Sequence, residues 1–71
     1  MKSDLEMAMD EVSKIQLETD DSIIMNIELH DGLWNCKFSW HDGIPVFVAY
    51  YKATLEDAIF ECSKQYAEWR V

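Results

Sequence analysis

Glycine and proline are nearly missing from this chain, with two of the first and one of the second in 71 residues. That scarcity excludes a disordered or low-complexity chain and points to regular elements joined by short turns. Bases are few as well: six Lys and Arg stand against 14 acids, for a formal net charge of −8. Attachment to a phosphate backbone needs clustered Lys and Arg, so direct nucleic-acid binding is disfavoured. Cysteine occurs twice, as Cys36 and Cys62, too far apart for a CxxC motif. Two cysteines make neither a metal cage nor a disulfide framework, and both are expected as inert thiols in the core. No stretch approaches the roughly 20 apolar residues of a membrane span, and no basic segment leads into an N-terminal apolar run. The expectation is a cytoplasmic protein with no membrane partner.

What is present is apolar and aromatic. Hydrophobic residues make up 49% of the chain, with three Trp, three Tyr and three Phe, so a few large side chains can anchor a small core. Residues 1–71 read as a single small globular domain. A chain this short buries only about 60% of its unfolded surface, which leaves the core little margin.

Two identical tripeptides, His30-Asp31-Gly32 and His41-Asp42-Gly43, divide the middle of the chain into three strand-like runs. Asp-Gly is a strong hairpin signal, because a tight turn twisted to match its strands needs positive φ at its centre. Ile23, Met25, Ile27 and Leu29 alternate with Ile24, Asn26, Glu28 and His30, a half-buried strand. Counting outward from Asp31-Gly32 sets Leu29 against Trp34, Ile27 against Cys36 and Met25 against Phe38. A slip of one residue would turn Asn35 and Lys37 to the core, so turn and pattern agree on register. The third run, Ile44–Tyr51, is apolar on both faces. A two-residue Asp42-Gly43 turn sends Phe47, Ala49 and Tyr51 inward and leaves Val46, Val48 and Tyr50 outside. A three-residue loop reverses that assignment. Pro45, lacking an amide donor, marks an edge strand or the strand's first residue.

Helices flank these runs. Ser3-x-x-Glu6 is a capping box, and Leu5, Ala8, Met9, Val12 and Ile15 follow at helical spacing, which predicts a helix from Asp4 to about Gln16. Thr54-x-x-Asp57 is a second box, and Leu55, Ala58, Ile59, Cys62, Tyr66 and Trp69 form one stripe to nearly the end of the chain. The expected fold is α+β, a two-layer α-β-β-β-α arrangement with a three-stranded antiparallel meander and both helices on one face.

Catalytic chemistry is hard to find. The two His-Asp turns of a meander sit at opposite ends of the sheet, about 27 Å apart by the strand rise. Each alone offers one imidazole and one carboxylate, short of a catalytic zinc site. Gly-rich phosphate loops and nucleophile elbows are absent. The reading is therefore no enzyme, with no catalytic residues, no cofactor and no metal.

The acids are the better lead. Between Asp4 and Asp21 seven carboxylates are opposed by Lys14 alone. Asp10, Glu11, Glu18, Asp20 and Asp21 are taken as contacts for a protein partner with a basic surface. Phe47 and Tyr51 on the third strand, and Phe60 on the outer side of the second helix, are taken as its apolar contacts. The element order is that of double-stranded-RNA-binding domains, although the charge has the wrong sign for RNA. Val46–Ala58, a strand leading into Thr54-Leu55-Glu56-Asp57-Ala58-Ile59, resembles the strand-to-helix join of HicB-type antitoxins over less than a third of the chain. The functional expectation is a non-enzymatic acidic protein-binding module, an inhibitor or antagonist of a basic nucleic-acid-handling protein. The alternative is a homo-oligomeric assembly protein, a homodimer for instance, that pairs through the face or edge of strand 44–51.

Overall fold

Ser3 opens the first element. Its Oγ accepts from the Glu6 N–H (3.1 Å) and the Glu6 carboxylate accepts from the Ser3 N–H (3.2 Å), so the capping box closes both ways. In this computed structural model, which describes residues 1–71, helix α1 then runs Asp4–Glu18. That is two residues beyond the expected end, and the reason lies in how the helix stops. The Asp21 N–H donates to the Gln16 carbonyl (2.8 Å) and the Asp20 N–H to that of Leu17 (3.4 Å). This crossed pair is a Schellman motif, and it needs a left-handed residue where glycine is usual. Asp20 takes that place at φ 55°, followed by Asp21 at φ 60°.

The remaining elements are β1 (Ile23–His30), β2 (Leu33–Trp40), β3 (Val46–Lys52) and α2 (Leu55–Trp69). The strands form one antiparallel sheet in the order β1-β2-β3, so the chain is the α+β fold its patterning predicts. The first hairpin has the expected register, with Leu29 opposite Trp34, Ile27 opposite Cys36 and Met25 opposite Phe38. Asp31 (φ 52°) and Gly32 (φ 74°) both adopt the positive φ of its tight turn.

The second hairpin keeps the register of a two-residue turn, pairing Phe38 with Phe47 and Ser39 with Val46. Phe47 and Ala49 accordingly face inward and are buried. Tyr51 does not follow them. Cys36 pairs with Ala49 but Trp34 pairs with Lys52, so Asn35 alone faces Tyr50 and Tyr51 across a β-bulge. Tyr51 sits there at φ 61°, 73% exposed, with its N–H donating to Asn35 Oδ1 (2.9 Å). The inward Tyr51 that goes with a two-residue turn is thus displaced by one extra residue in the strand, while Phe47 and Ala49 keep that assignment.

Thr54 Oγ1 accepts from the Asp57 N–H (3.2 Å) and starts α2, but only this half of the predicted box forms. Helix α2 lies across β2 and β3, while α1 packs mainly on α2. The largest fully buried side chains, Phe38, Ile59, Cys36 and Cys62, all belong to β2 and α2, so the core is centred on their contact. Phe60 packs against that core, half-buried, rather than standing free on the outer side. Coverage thins toward β1: Ile23 is buried, Met25 half-buried, and the equally inward Ile27 and Leu29 are 38% and 59% exposed.

The C-terminus of α1 gives a test of stored strain. A left-handed L-residue costs roughly 1–2 kcal/mol, less for aspartate, so Asp20→Gly should stabilise the fold by about 1 kcal/mol. For a domain of this length that is a rise in Tm of about 4–8 °C. Asp20→Asn, which removes charge but keeps the Cβ, should give the smaller gain, and calorimetry of both variants separates strain from repulsion.

Candidate interaction surfaces

The acids proposed as partner contacts occupy different environments. Asp10 is exposed and pairs with Lys2. Glu11 pairs with Lys14 (3.3 Å), one turn away. Glu18 bridges the helices: its Oε2 accepts from Tyr66 Oη (3.0 Å) on α2 and from Nη1 (2.9 Å) of Arg70, the residue that caps the end of α2. Glu18 is therefore committed to holding α1 against α2, a role that its place in an acidic run conceals. Asp20 and Asp21 are exposed, make no ion pair, and stand together in the left-handed turn.

Four of the six bases, Lys2, Lys14, Lys52 and Arg70, pair with a carboxylate. That pairing leaves most of the 14 acids unmatched, so the negative field survives folding. The pairs are solvent-exposed and contribute little each.

Between the helices lies a shallow cleft of about 120 Å³ lined by Glu11, Lys14, Glu18, Ser63, Tyr66 and Arg70. Its charges are mixed and already paired, apart from the buried Ser63 Oγ, which has no partner. Tyr66 is the titrating group that matters here. Burial of its ring raises the phenol above the ordinary tyrosine range, and the hydrogen bond to Glu18 and that carboxylate's charge add to the rise, while Arg70 opposes it.

The sheet's other face is bare, as an antiparallel sheet can be. Val46 and Tyr50 are 45% and 55% exposed, with Val48 half-buried between them, an outward apolar row on β3. Beside it a shallow depression of about 280 Å³ is lined by Asn26, Glu28, Asn35, Lys37 and Tyr50. Phe47, at 6% exposure, is core and gives a partner no surface. The proposed contacts are thus divided, since the α1 acids lie on the helical layer and the β3 row on the opposite one.

Two glutamines that read as ordinary solvated positions in the sequence bond to the edge strands of the sheet. Gln65 on α2 presents its carboxamide to β3 like a peptide unit, Nε2 donating to the Val48 carbonyl (2.7 Å) and Oε1 accepting from the Val48 N–H (3.2 Å). Gln16 on α1 donates from Nε2 to the Ile23 carbonyl (2.9 Å) at the start of β1. The edge of strand 44–51 is thus closed at its middle, although its face remains open.

The histidines stay apart. His30 Nε2 lies 3.5 Å from Asp31 Oδ2 at an exposed turn, His41 belongs to the turn at the other end of β2, and no three metal-ligating side chains gather. Cys36 and Cys62 meet in the core. Cys62 Sγ donates to the Cys36 carbonyl (3.4 Å), and its contact with the Cys36 thiol together with burial holds it above the ordinary thiol range.

No helix is long and apolar enough to cross a membrane. No family model, curated protein or solved structure matches the chain. The double-stranded-RNA-binding order and the HicB-type join therefore stand as local likenesses of topology and helix capping.

The Tyr66 bond implies an alkaline limit to stability. A phenol with a raised pKa favours the folded state while it is protonated, so its contribution is complete below about pH 10 and disappears as pH rises through the raised value. Urea melts from pH 9 upward should show the wild-type midpoint falling more steeply than that of Tyr66→Phe. Equal slopes would mean that the Glu18 bond gives tyrosine no advantage as an acid.

Proposed function

We propose that this chain is a non-enzymatic binding module that sets an acidic surface against a basic protein partner. In this reading it acts as an inhibitor or antagonist of a nucleic-acid-handling protein, in the manner of an antitoxin or a phage anti-defence factor. The observation that carries the reading is the Asp20-Asp21 turn. Two adjacent carboxylates hold left-handed backbone, exposed and unpaired, where glycine or asparagine would be more stable. Backbone strain of this kind concentrates where a protein binds.

Asp10 and Glu11 extend the same negative field along α1, each weakly balanced by an exposed lysine. Carboxylates spaced along a helix can stand in for phosphates and steer association onto a positive groove. Glu18, tied to Tyr66 and Arg70, supports this surface without being free to join it.

The test is kinetic. A basic partner is first captured at low salt and identified by mass. Its association is then measured with wild type and with the combined Asp10→Asn, Glu11→Gln, Asp20→Asn, Asp21→Asn variant. Loss of steering should slow association about tenfold or more at low salt and flatten the salt dependence. An unchanged rate in the folded variant would remove the electrostatic reading.

The outward row of β3 favours a second reading, assembly through the face of strand 44–51. Val48→Glu and Tyr50→Glu should then each reduce an assembly to smaller species in sedimentation. An unaltered mass in both would discard that face.

A further inference from the structure

The two edges of the sheet are treated differently. β3 is guarded along its length: Pro45 precedes it without an N–H, Gln65 occupies both main-chain groups of Val48, and the Tyr51 bulge breaks the ladder at its end. β1 has eight residues with no proline, no lysine and no bulge. Its main chain can be assigned group by group. The residues flanking a two-residue turn form a hydrogen-bonded pair, so His30 bonds Leu33, and alternation makes Glu28, Asn26 and Ile24 the other residues bonded to β2. The odd residues then point their N–H and C=O outward, as the Gln16 bond to the Ile23 carbonyl confirms. No side chain reaches the outward groups of Met25, Ile27 and Leu29.

The side chains of these residues are also undercovered, Ile27 at 38% and Leu29 at 59% exposure on the helical side of the sheet. The flank of α1 that carries Gln16, whose side chain reaches the start of β1 at Ile23, is apolar further up the helix. Met9 and Leu5 lie seven and eleven residues before it on that flank, each 41% exposed. A strand-shaped partner that is apolar on one side would satisfy both deficits.

We propose that this partner is a second copy of the chain, with the two β1 strands pairing antiparallel about a two-fold axis through Ile27 to make a six-stranded sheet. Opposed residues must share a face, so the axis falls on a residue, and three registers compete. An axis at Asn26 would set Leu29 against Ile23, whose carbonyl Gln16 already holds. An axis at Glu28 would put that carboxylate against its own copy, and like charges directly opposite are destabilising. An axis at Ile27 uses every free group. Ile27 meets Ile27 and Met25 meets Leu29 on the inner face, while Asn26 meets Glu28 and Ile24 meets His30 on the outer. The ladder alone is narrow for a stable interface, which buries on the order of 1,200 Å² in total. The exposed side chains of Ile27 and Leu29 from both copies add apolar area to it.

This contact uses none of the acids of the antagonist reading and does not rest on it. Its salt dependence is also opposite. Two copies of net charge −8 repel, so salt should strengthen the dimer, whereas it would weaken attachment to a basic partner.

Sedimentation equilibrium over a wide concentration range, at low and high salt, tests the proposal. The expected result is a species of twice 8.3 kDa whose dissociation constant falls as salt rises. Ile27→Lys and Leu29→Lys should each weaken it at least tenfold while leaving the circular dichroism spectrum unchanged. Should either lysine variant unfold, cysteine substitution decides the matter. A hydrogen-bonded pair holds its Cα atoms about 5.5 Å apart, within disulfide range, so Ile27→Cys should form a covalent dimer on mild oxidation faster than Glu28→Cys. The native thiols are buried and do not compete. A monomer under all conditions overturns the proposal. So does a dimer indifferent to both lysine variants, or one in which Glu28→Cys links as readily as Ile27→Cys.

Discussion

The contact of α2 with β2 is the interaction on which the rest of the domain depends. Phe38 and Cys36 from the strand, and Ile59 and Cys62 from the helix, are the largest side chains to lose all contact with water. Around this centre Phe47, Trp40, Tyr66 and Trp69 stack and tilt against one another with ring centroids 5.2–6.3 Å apart. Because α2 sits over β2 and β3, the sheet is thickly covered on that side and thinly at β1. Helix α1 does not correct the imbalance, since it packs on α2 and is fastened there through Glu18. The domain thus has a dense half and a sparse half, and the surfaces of interest lie at the border of the sparse one or outside it.

Much of this was legible in the residues. The Asp31-Gly32 turn and the alternation on either side of it specify the same register independently, which is why every cross-strand pair of the first hairpin could be named. The helix starts at Ser3 and Thr54 were legible because capping serine and threonine oxygens act locally. Other features were not. In Tyr50-Tyr51 two adjacent aromatics hide an inserted residue, because either could be the inward one. Gln65 and Gln16 look like solvated helix positions, and nothing in their spacing reveals that one closes the middle of the β3 edge and the other holds the start of β1. Glu18 is one acid among seven by sequence, and its bond to Tyr66 spans 48 residues. Local signals carry local geometry, and contacts at long separation have to be seen.

The charge distribution reflects a similar division. Bases are spent on particular acids, Arg70 on Glu18 and Lys52 on Glu61, at points where elements meet. The acids left over lie at the start of α1, in the turns, and at Glu28 on β1 and Glu56, Asp57 and Glu68 on α2. Folding thus sorts a mixed sequence into a locally neutral scaffold and a negative periphery. That arrangement leaves the excess negative charge on the surface, where the basic partner proposed above would meet it.

The meeting of Cys36 and Cys62 in the core has a practical consequence. Both thiols are shielded, at 1% and 0% exposure, and they sit at the one contact that cannot open without undoing the sheet-to-helix packing. An alkylating reagent reaches them only when the domain opens as a whole, so the rate of their modification is a clock for global opening under native conditions. Frayed ends and mobile turns, which dominate most probes of motion, would leave that clock unmoved.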